Sequence, residues 1–199
     1  METVAEIKQI TKNYTYSEYK ELVLKYADEQ STSGEQTIEH IKATEINAQR
    51  VKRIDKQCEI NEGLKNVVKK ITKKYTWILI TESWCGDGAQ CIPVIAKIAE
   101  LNSNINLKLI MRDENLSIMD KFLTNGSRSI PKLIFLEEEN VIGTWGPRPK
   151  EIQKKVTEFK AANPNVSHEE FVTNIHLWYA RDKTQAIQNE FIEILNNQL

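Results

Sequence analysis

Between Trp77 and Leu101 the sequence changes period. Trp77-Ile-Leu-Ile-Thr81 is an apolar run with a β-branched core, the pattern of a buried strand. Glu82 to Gly88 is turn-like. Beyond it apolar residues recur at Ile92, Ile95, Ala96, Ile98 and Ala99, which is helical spacing. Cys85 therefore sits where a strand becomes a helix. The free N–H groups and dipole of a first helical turn favour an anion, so they favour the thiolate, the nucleophilic form of cysteine.

A second signal is Gly126-Ser-Arg-Ser-Ile-Pro131-Lys-Leu-Ile-Phe135, a turn, a proline and an apolar strand. Proline is tolerated at the first position of a strand, where no ladder donor is needed. The pattern predicts strand 77–81, helix 88–101, strand 107–111, a short helix near 116–124, and strands 132–136 and 141–145 joined by a hairpin at Glu137–Asn140. A helix from about Pro149 to Ala162 follows.

Upstream, Thr15-Tyr-Ser-Glu18 fits a capping box ahead of Tyr19, Leu22, Val23 and Tyr26. Ile38, Ile41, Ala48, Val51, Ile54 and Cys58 mark a long amphipathic helix. Asn61 caps a third, with Leu64, Val67, Val68 and Ile71 on one face. Downstream, Asn163-Pro-Asn165 breaks the chain. Ser167-His-Glu-Glu170 then caps one last helix that runs past Phe171, Ile175, Trp178, Tyr179, Ile187 and Phe191 to Leu195. The chain thus divides into a helical N-terminal extension (1–75), an α/β core (76–162) and a C-terminal helix on the core (163–199).

Topology places the loops. Strands 77–81 and 107–111 are expected to be parallel, joined by a right-handed crossover, with their C-terminal ends on the ligand edge of an open α/β sheet. The strand from 132 is expected to run antiparallel and the strand from 141 to return. Trp84, Cys85, Arg112, Arg128, Pro131, Trp145 and Arg148 are then expected to converge.

Trp84-Cys85-Gly86 after a buried strand, Pro93 eight residues beyond the cysteine, and Ile130-Pro131 opening a later strand resemble the thioredoxin superfamily. The phrases Asn47-Ala-Gln-Arg50, Glu82-Ser-Trp-Cys-Gly-Asp87, Arg112-Asp-Glu-Asn115, Thr124 to Pro131 and Trp145-Gly-Pro-Arg-Pro149 resemble a bacterial branch of thioredoxin-like proteins with a Trp-Cys-Gly-Asp motif. The resemblance implies a thioredoxin-like fold, a βαβαββα core on a mixed four-stranded sheet. It also implies a cis-proline at Ile130-Pro131 facing the cysteine and aligning a bound backbone, with Trp84 shielding the thiol. The chain departs from the family pattern just after the cysteine, where the two middle residues are Gly86 and Asp87 rather than Gly and Pro. The second cysteine of Cys-x-x-Cys would be residue 88, and it is Gly88.

The net charge of −1 gives no electrostatic case for nucleic acid or a membrane surface. Met1 to Lys8 lacks the basic and apolar regions of a signal peptide, and three cysteines without framework spacing agree with a reducing compartment. The expected location is cytoplasmic.

Up to three arginines near Cys85 would favour its thiolate, whereas Asp87 would oppose it. The bland alternative pairs Arg112, Arg128 and Arg148 with Asp87, Asp113 and Glu114. Cys91 is too far along the same helix to bridge Cys85 and reads as a small buried hydrophobe, and Cys58 continues an apolar stripe. His40, His168 and His176 do not cluster, so neither a metal site nor a histidine base for Cys85 is expected.

The first reading is a single-cysteine thiol-disulfide oxidoreductase working through a mixed disulfide at Cys85. Its binding residues would be Trp84, Gly86, Asp87, Arg112, Arg128, Ile130, Pro131, Trp145 and Arg148. Its partner would be a disulfide-bearing protein or a low-molecular-weight thiol, with no resident cofactor. The alternatives are a redox-inactive binding module and a monothiol-glutaredoxin-like carrier of a thiol or cluster.

Overall fold

The computed structural model describes residues 5–7 and 9–198, so most of the N-terminal stretch read above for a leader lies outside the described residues. The elements run α1 (Tyr16–Asp28), α2 (Ile38–Gln57), α3 (Glu62–Val68), β1 (Tyr75–Thr81), α4 (Gly86–Glu100), β2 (Ile105–Met111), α5 (Leu116–Met119), β3 (Lys132–Glu137), β4 (Asn140–Trp145), α6 (Lys150–Ala162), α7 (His168–Asp182) and α8 (Gln185–Gln198).

The four strands form one mixed sheet in the order β2-β1-β3-β4. As the topology predicts, β1 pairs parallel to β2, Trp77 opposite Leu107, and antiparallel to β3, Trp77 opposite Phe135. β1 is a continuous apolar run because both its faces are covered. Trp77 and Leu79 point into the larger core, which includes Phe135, Ile92, Ile95 and Phe191. Ile78 and Ile80 point into a smaller one with Ile110, Ile118, Met119 and Ile134.

Capping residues set the helix starts. Thr15 makes the full capping box with Glu18, and Asn61 and Ser167 accept from Leu64 N–H and Glu170 N–H. Several expected boundaries move: β1 and β2 begin two residues earlier, at Tyr75 and Ile105, and α4 starts at Gly86. α3 stops at Val68, short of Ile71, and the short helix spans only Leu116–Met119.

The last helix is two helices. Lys183 and Thr184 between them are both left-handed, at φ 50° and 68°. Neither is the glycine that usually marks such a turn, so the sequence shows no break there. Asp182 accepts Ala186 N–H at 3.1 Å and restarts the helix. The turn lets α8 lie on α3 and α4, with Phe191 packed against Trp77, Phe135 and Trp145.

The N-terminal helices are built into the fold. α2 packs on α4, and α1 on α2. Tyr14 exchanges two 2.8 Å backbone hydrogen bonds with Leu109, a bridge onto β2 in a region that shows no strand pattern. No helix of the described residues is long and apolar enough to cross a membrane.

Candidate functional site

Cys85 is the N-cap of α4. Its backbone is extended, at φ −72° and ψ 109°, and Gly86 begins the helix. Sγ accepts Gly88 N–H at 3.3 Å and donates to the Ile130 carbonyl at 3.2 Å. The Ile130–Pro131 peptide bond is cis.

The side chain is 6% exposed. Burial pushes the Cys85 pKa up to about 12, and the Asp87 carboxylate adds to the rise. The Gly88 N–H and the Arg148 cation act the other way and are outweighed. The expectation that a helix start would yield a thiolate is therefore reversed. Two N–H groups of a first turn do not offset the burial of the sulfur with a carboxylate two residues on.

The three arginines expected near Cys85 help little, because each of them already meets a carboxylate. Arg148 forks onto Asp87, with Nε 3.1 Å from both oxygens and a second bond from Nη2, and the Tyr179 hydroxyl donates to the same carboxylate at 2.9 Å. Arg128 forks onto Asp120 at 2.6 and 2.8 Å. Arg112 pairs with Asp113 at 2.8 Å and lies 4.8 Å over the Trp84 ring. Two of these pairings were expected; Asp120 as the partner of Arg128 was not.

The loop before Cys85 is pinned by the N-terminal segment. Ser33 N–H donates to Ser83 Oγ at 2.9 Å, and Ser83 N–H to Ser33 Oγ at 2.8 Å. Thr32 and Thr44 complete a hydroxyl cluster around Ser83, and Asn47 donates to the Ser83 carbonyl at 2.9 Å. Glu82 is fully buried. Ser33 Oγ donates to one of its oxygens and Asp113 N–H to the other at 2.8 Å, while burial raises its pKa. His40 of α2 stacks on Trp84, with ring centres 4.3 Å apart.

Residue 88 sits close against the end of β1. A Cβ on Gly88 would lie 2.9 Å from Thr81 Oγ1 and 3.3 Å from Cys85 Cβ. A side chain where the second cysteine would stand would have to turn the Thr81 hydroxyl aside. Cys91 is fully buried, its sulfur 3.7 Å from the Tyr179 hydroxyl, and Cys58 ends α2 near Thr184. All three cysteines are free.

A groove of about 730 Å³ opens over Cys85. It brings together Trp84, Cys85, Gly86, Asp87, Arg112, Arg128, Ile130 and Arg148. Two expected members are not on its wall. Trp145 is 4% exposed and packs against Phe191, because its position opposite Leu133 turns it into the larger core. Pro131 is buried, and Ile130 is the residue that reaches the groove.

Sequence reasoning missed His40 and Arg50 of α2 and His176 of α7, which also line the groove. His40, Ala43, Asn47 and Arg50 follow helical spacing, and that polar stripe was the available signal. His176 gave none, since its place depends on how α7 folds back. The site therefore does hold histidines.

His176 Nδ1 lies 3.1 Å from Gln90 Nε2. Burial, then the Arg50 cation, pushes its pKa down to about 4. A base held neutral in the fold is protonated more readily in the unfolded chain. Its contribution to stability is therefore lost as pH falls from about 6.5 through about 4. Urea unfolding is expected to show that His176→Gln is less acid-sensitive than the parent, by about 2 to 3 kcal/mol between neutral pH and pH 4.5. Equal losses in both proteins would mean that His176 is not held neutral.

The family model described as Thioredoxin matches residues 33–160, well over half of the chain. The match begins at Ser33, in the loop that holds Glu82 and Ser83. No curated protein matches the sequence. Two solved structures share the fold. One is the crystal structure of a protein of unknown function from Pseudomonas aeruginosa, 17% identical, with a TM-score of 0.57 over 94% of this chain and 99% of that one. The other is an HIV epitope-scaffold, 16% identical, with a TM-score of 0.57 over 94% of this chain and 100% of that one. The mixed sheet, the cysteine capping the helix after β1 and the family match agree: this chain belongs to the thioredoxin family.

Proposed function

We propose that this protein carries out one-cysteine thiol–disulfide exchange in the groove over Cys85. The observation behind this reading is the placement of Cys85 Sγ. It caps α4, lies against the Ile130 carbonyl on the groove floor, and has no second cysteine at residue 88. In the reaction the Cys85 thiol gives its proton to a solvent base and attacks one sulfur of a bound disulfide. A new S–S bond forms to Cys85, and the other sulfur leaves as a thiolate and takes up a proton. A second thiol, supplied by a reducing compartment, then attacks the ligand sulfur and frees Cys85. The protein gains no electrons over the cycle, because one disulfide has been exchanged for another.

A redox-silent binding groove is the second reading. It is favoured by the buried, neutral thiol whose proton is already donated to Ile130. The two part on one experiment. In a Cys58→Ser/Cys91→Ser background, folded protein is incubated with hydroxyethyl disulfide at mildly alkaline pH and weighed intact. Exchange predicts a single adduct that a monothiol removes and that Cys85→Ser abolishes. If the adduct forms only after denaturation, the exchange reading falls and the binding reading stands.

A further inference from the structure

Three of the groove's four arginines are matched by a carboxylate; Arg50 is not. Among the described residues its one hydrogen-bond acceptor is the Asn47 amide, Nη1 to Oδ1 at 2.8 Å. The guanidinium is more than half buried, and Arg53, one turn along α2, repels it. The carboxylate whose field favours it is Asp87, already held by Arg148 and Tyr179. A half-buried cation served only by an amide oxygen is short of an anion.

His176 comes to the same place from α7, and a relay fixes which of its nitrogens carries the proton. Arg53 donates to Gln90 Oε1 at 3.2 Å. That leaves Gln90 Nε2 to donate to His176 Nδ1, 3.1 Å away. Nδ1 is then the acceptor and Nε2 bears the hydrogen. Nε2 lies 2.9 Å from the point where a Cβ on Gly86 would stand, and Arg50 Nη1 lies 3.6 Å from that point. A cationic donor and a neutral one thus converge beside Gly86, the residue next to Cys85. Among the described residues Nε2–H meets no acceptor.

We propose that Arg50 and the Nε2–H of His176 form a carboxylate subsite, and that the groove takes a small thiol, or its disulfide, with a carboxylate a few bonds from the sulfur. A planar carboxylate can accept from the guanidinium fork and the imidazole together. The spacing favours a short ligand, because the donors stand one residue from the attacking sulfur. The sulfur chemistry rests on the exchange reading above; the binding does not.

Two probes separate these claims in the Cys58→Ser/Cys91→Ser protein. Thiodipropionate, a dicarboxylate thioether that cannot exchange, is expected to shift the His176 ring signals saturably in NMR. Arg50→Gln is expected to weaken this binding about tenfold, the worth of a charge-assisted hydrogen bond, and Arg50→Lys to restore part of it. His176→Phe removes that NMR probe, so its binding is read by calorimetry, where a loss comparable to that of Arg50→Gln is expected and unchanged affinity overturns the role of His176; unfolding curves confirm that each variant is folded. No saturable shift in the parent, or unchanged binding in Arg50→Gln, overturns the subsite. Dithiodipropionate is likewise expected to modify Cys85 about tenfold faster than neutral hydroxyethyl disulfide, an advantage that Arg50→Gln removes. Equal rates overturn the subsite. If neither disulfide reacts, the exchange reading falls, and thiodipropionate binding still decides the subsite.

Discussion

Asp87→Asn is expected to raise the alkylation rate of Cys85 at neutral pH by about tenfold or more. Asp87 is the largest influence after burial that keeps this thiol protonated. It also holds Arg148, whose cation favours the thiolate but is outweighed. Neutralising residue 87 removes the opposing charge and releases the supporting one. Burial remains, so the pKa stays above the ordinary cysteine value while falling from about 12.

The folding linkage moves with it. A thiol whose pKa is raised in the fold contributes stability that is intact below the unfolded value, about 9, and lost as pH rises toward about 12. In Asp87→Asn that loss is expected to finish at lower pH. The substitution has a structural cost. Arg148 is left buried without its carboxylate, at a cost of about 3 kcal/mol, while asparagine keeps an acceptor for Tyr179. The check is the pH profile of iodoacetamide alkylation with Cys58 and Cys91 replaced by serine. An unchanged profile would show that Asp87 does not hold the thiol neutral.

Gly146→Ala is expected to cost about 3 kcal/mol or more of stability, combining backbone strain with overpacking. Gly146 has φ +109°, a region that L residues rarely adopt. A Cβ there would also lie 2.2 Å from the Pro131 carbonyl oxygen and 3.2 Å from its carbon. Both obstacles are backbone, so no side chain can move aside. The end of β4, where Trp145 pairs with Leu133, would be pushed away from the start of β3. The Ile130 carbonyl that accepts the Cys85 proton lies in that same loop. Gly126→Ala is the matched control. Its φ is +77°, but nothing lies within 4 Å of the added carbon, so strain alone applies, about 1 kcal/mol. Urea midpoints measure both, and equal small losses would refute the clash.

The sheet was legible because its signals are local. An apolar run, a turn and a helical stripe gave β1, Cys85 and α4 in order, and handedness and connection rules gave the pairing of β1, β2 and β3. Thr15, Asn61 and Ser167 could be read as caps because a cap bonds to an N–H three residues away. The break at Lys183 was not legible, since left-handed backbone at a lysine and a threonine is imposed by packing of α8 rather than by residue type.

The candidate site divides along the same line. Sequence alone placed Cys85 where a strand becomes a helix, showed that Gly88 is no second thiol, and brought Trp84, Arg112, Arg128 and Arg148 to one edge with it, though it put Pro131 and Trp145 there too. It could not decide the thiol's charge. That depends on how completely Ile130 and the surrounding loops bury Sγ, and on Arg148 spending its charge on Asp87 rather than on the sulfur. Nor could it bring Arg50 and His176 to Gly86 from positions 126 residues apart in the chain. Caps and strand periods are set by neighbours in sequence. Desolvation and ion pairing are set by neighbours in space, and only the folded chain chooses those.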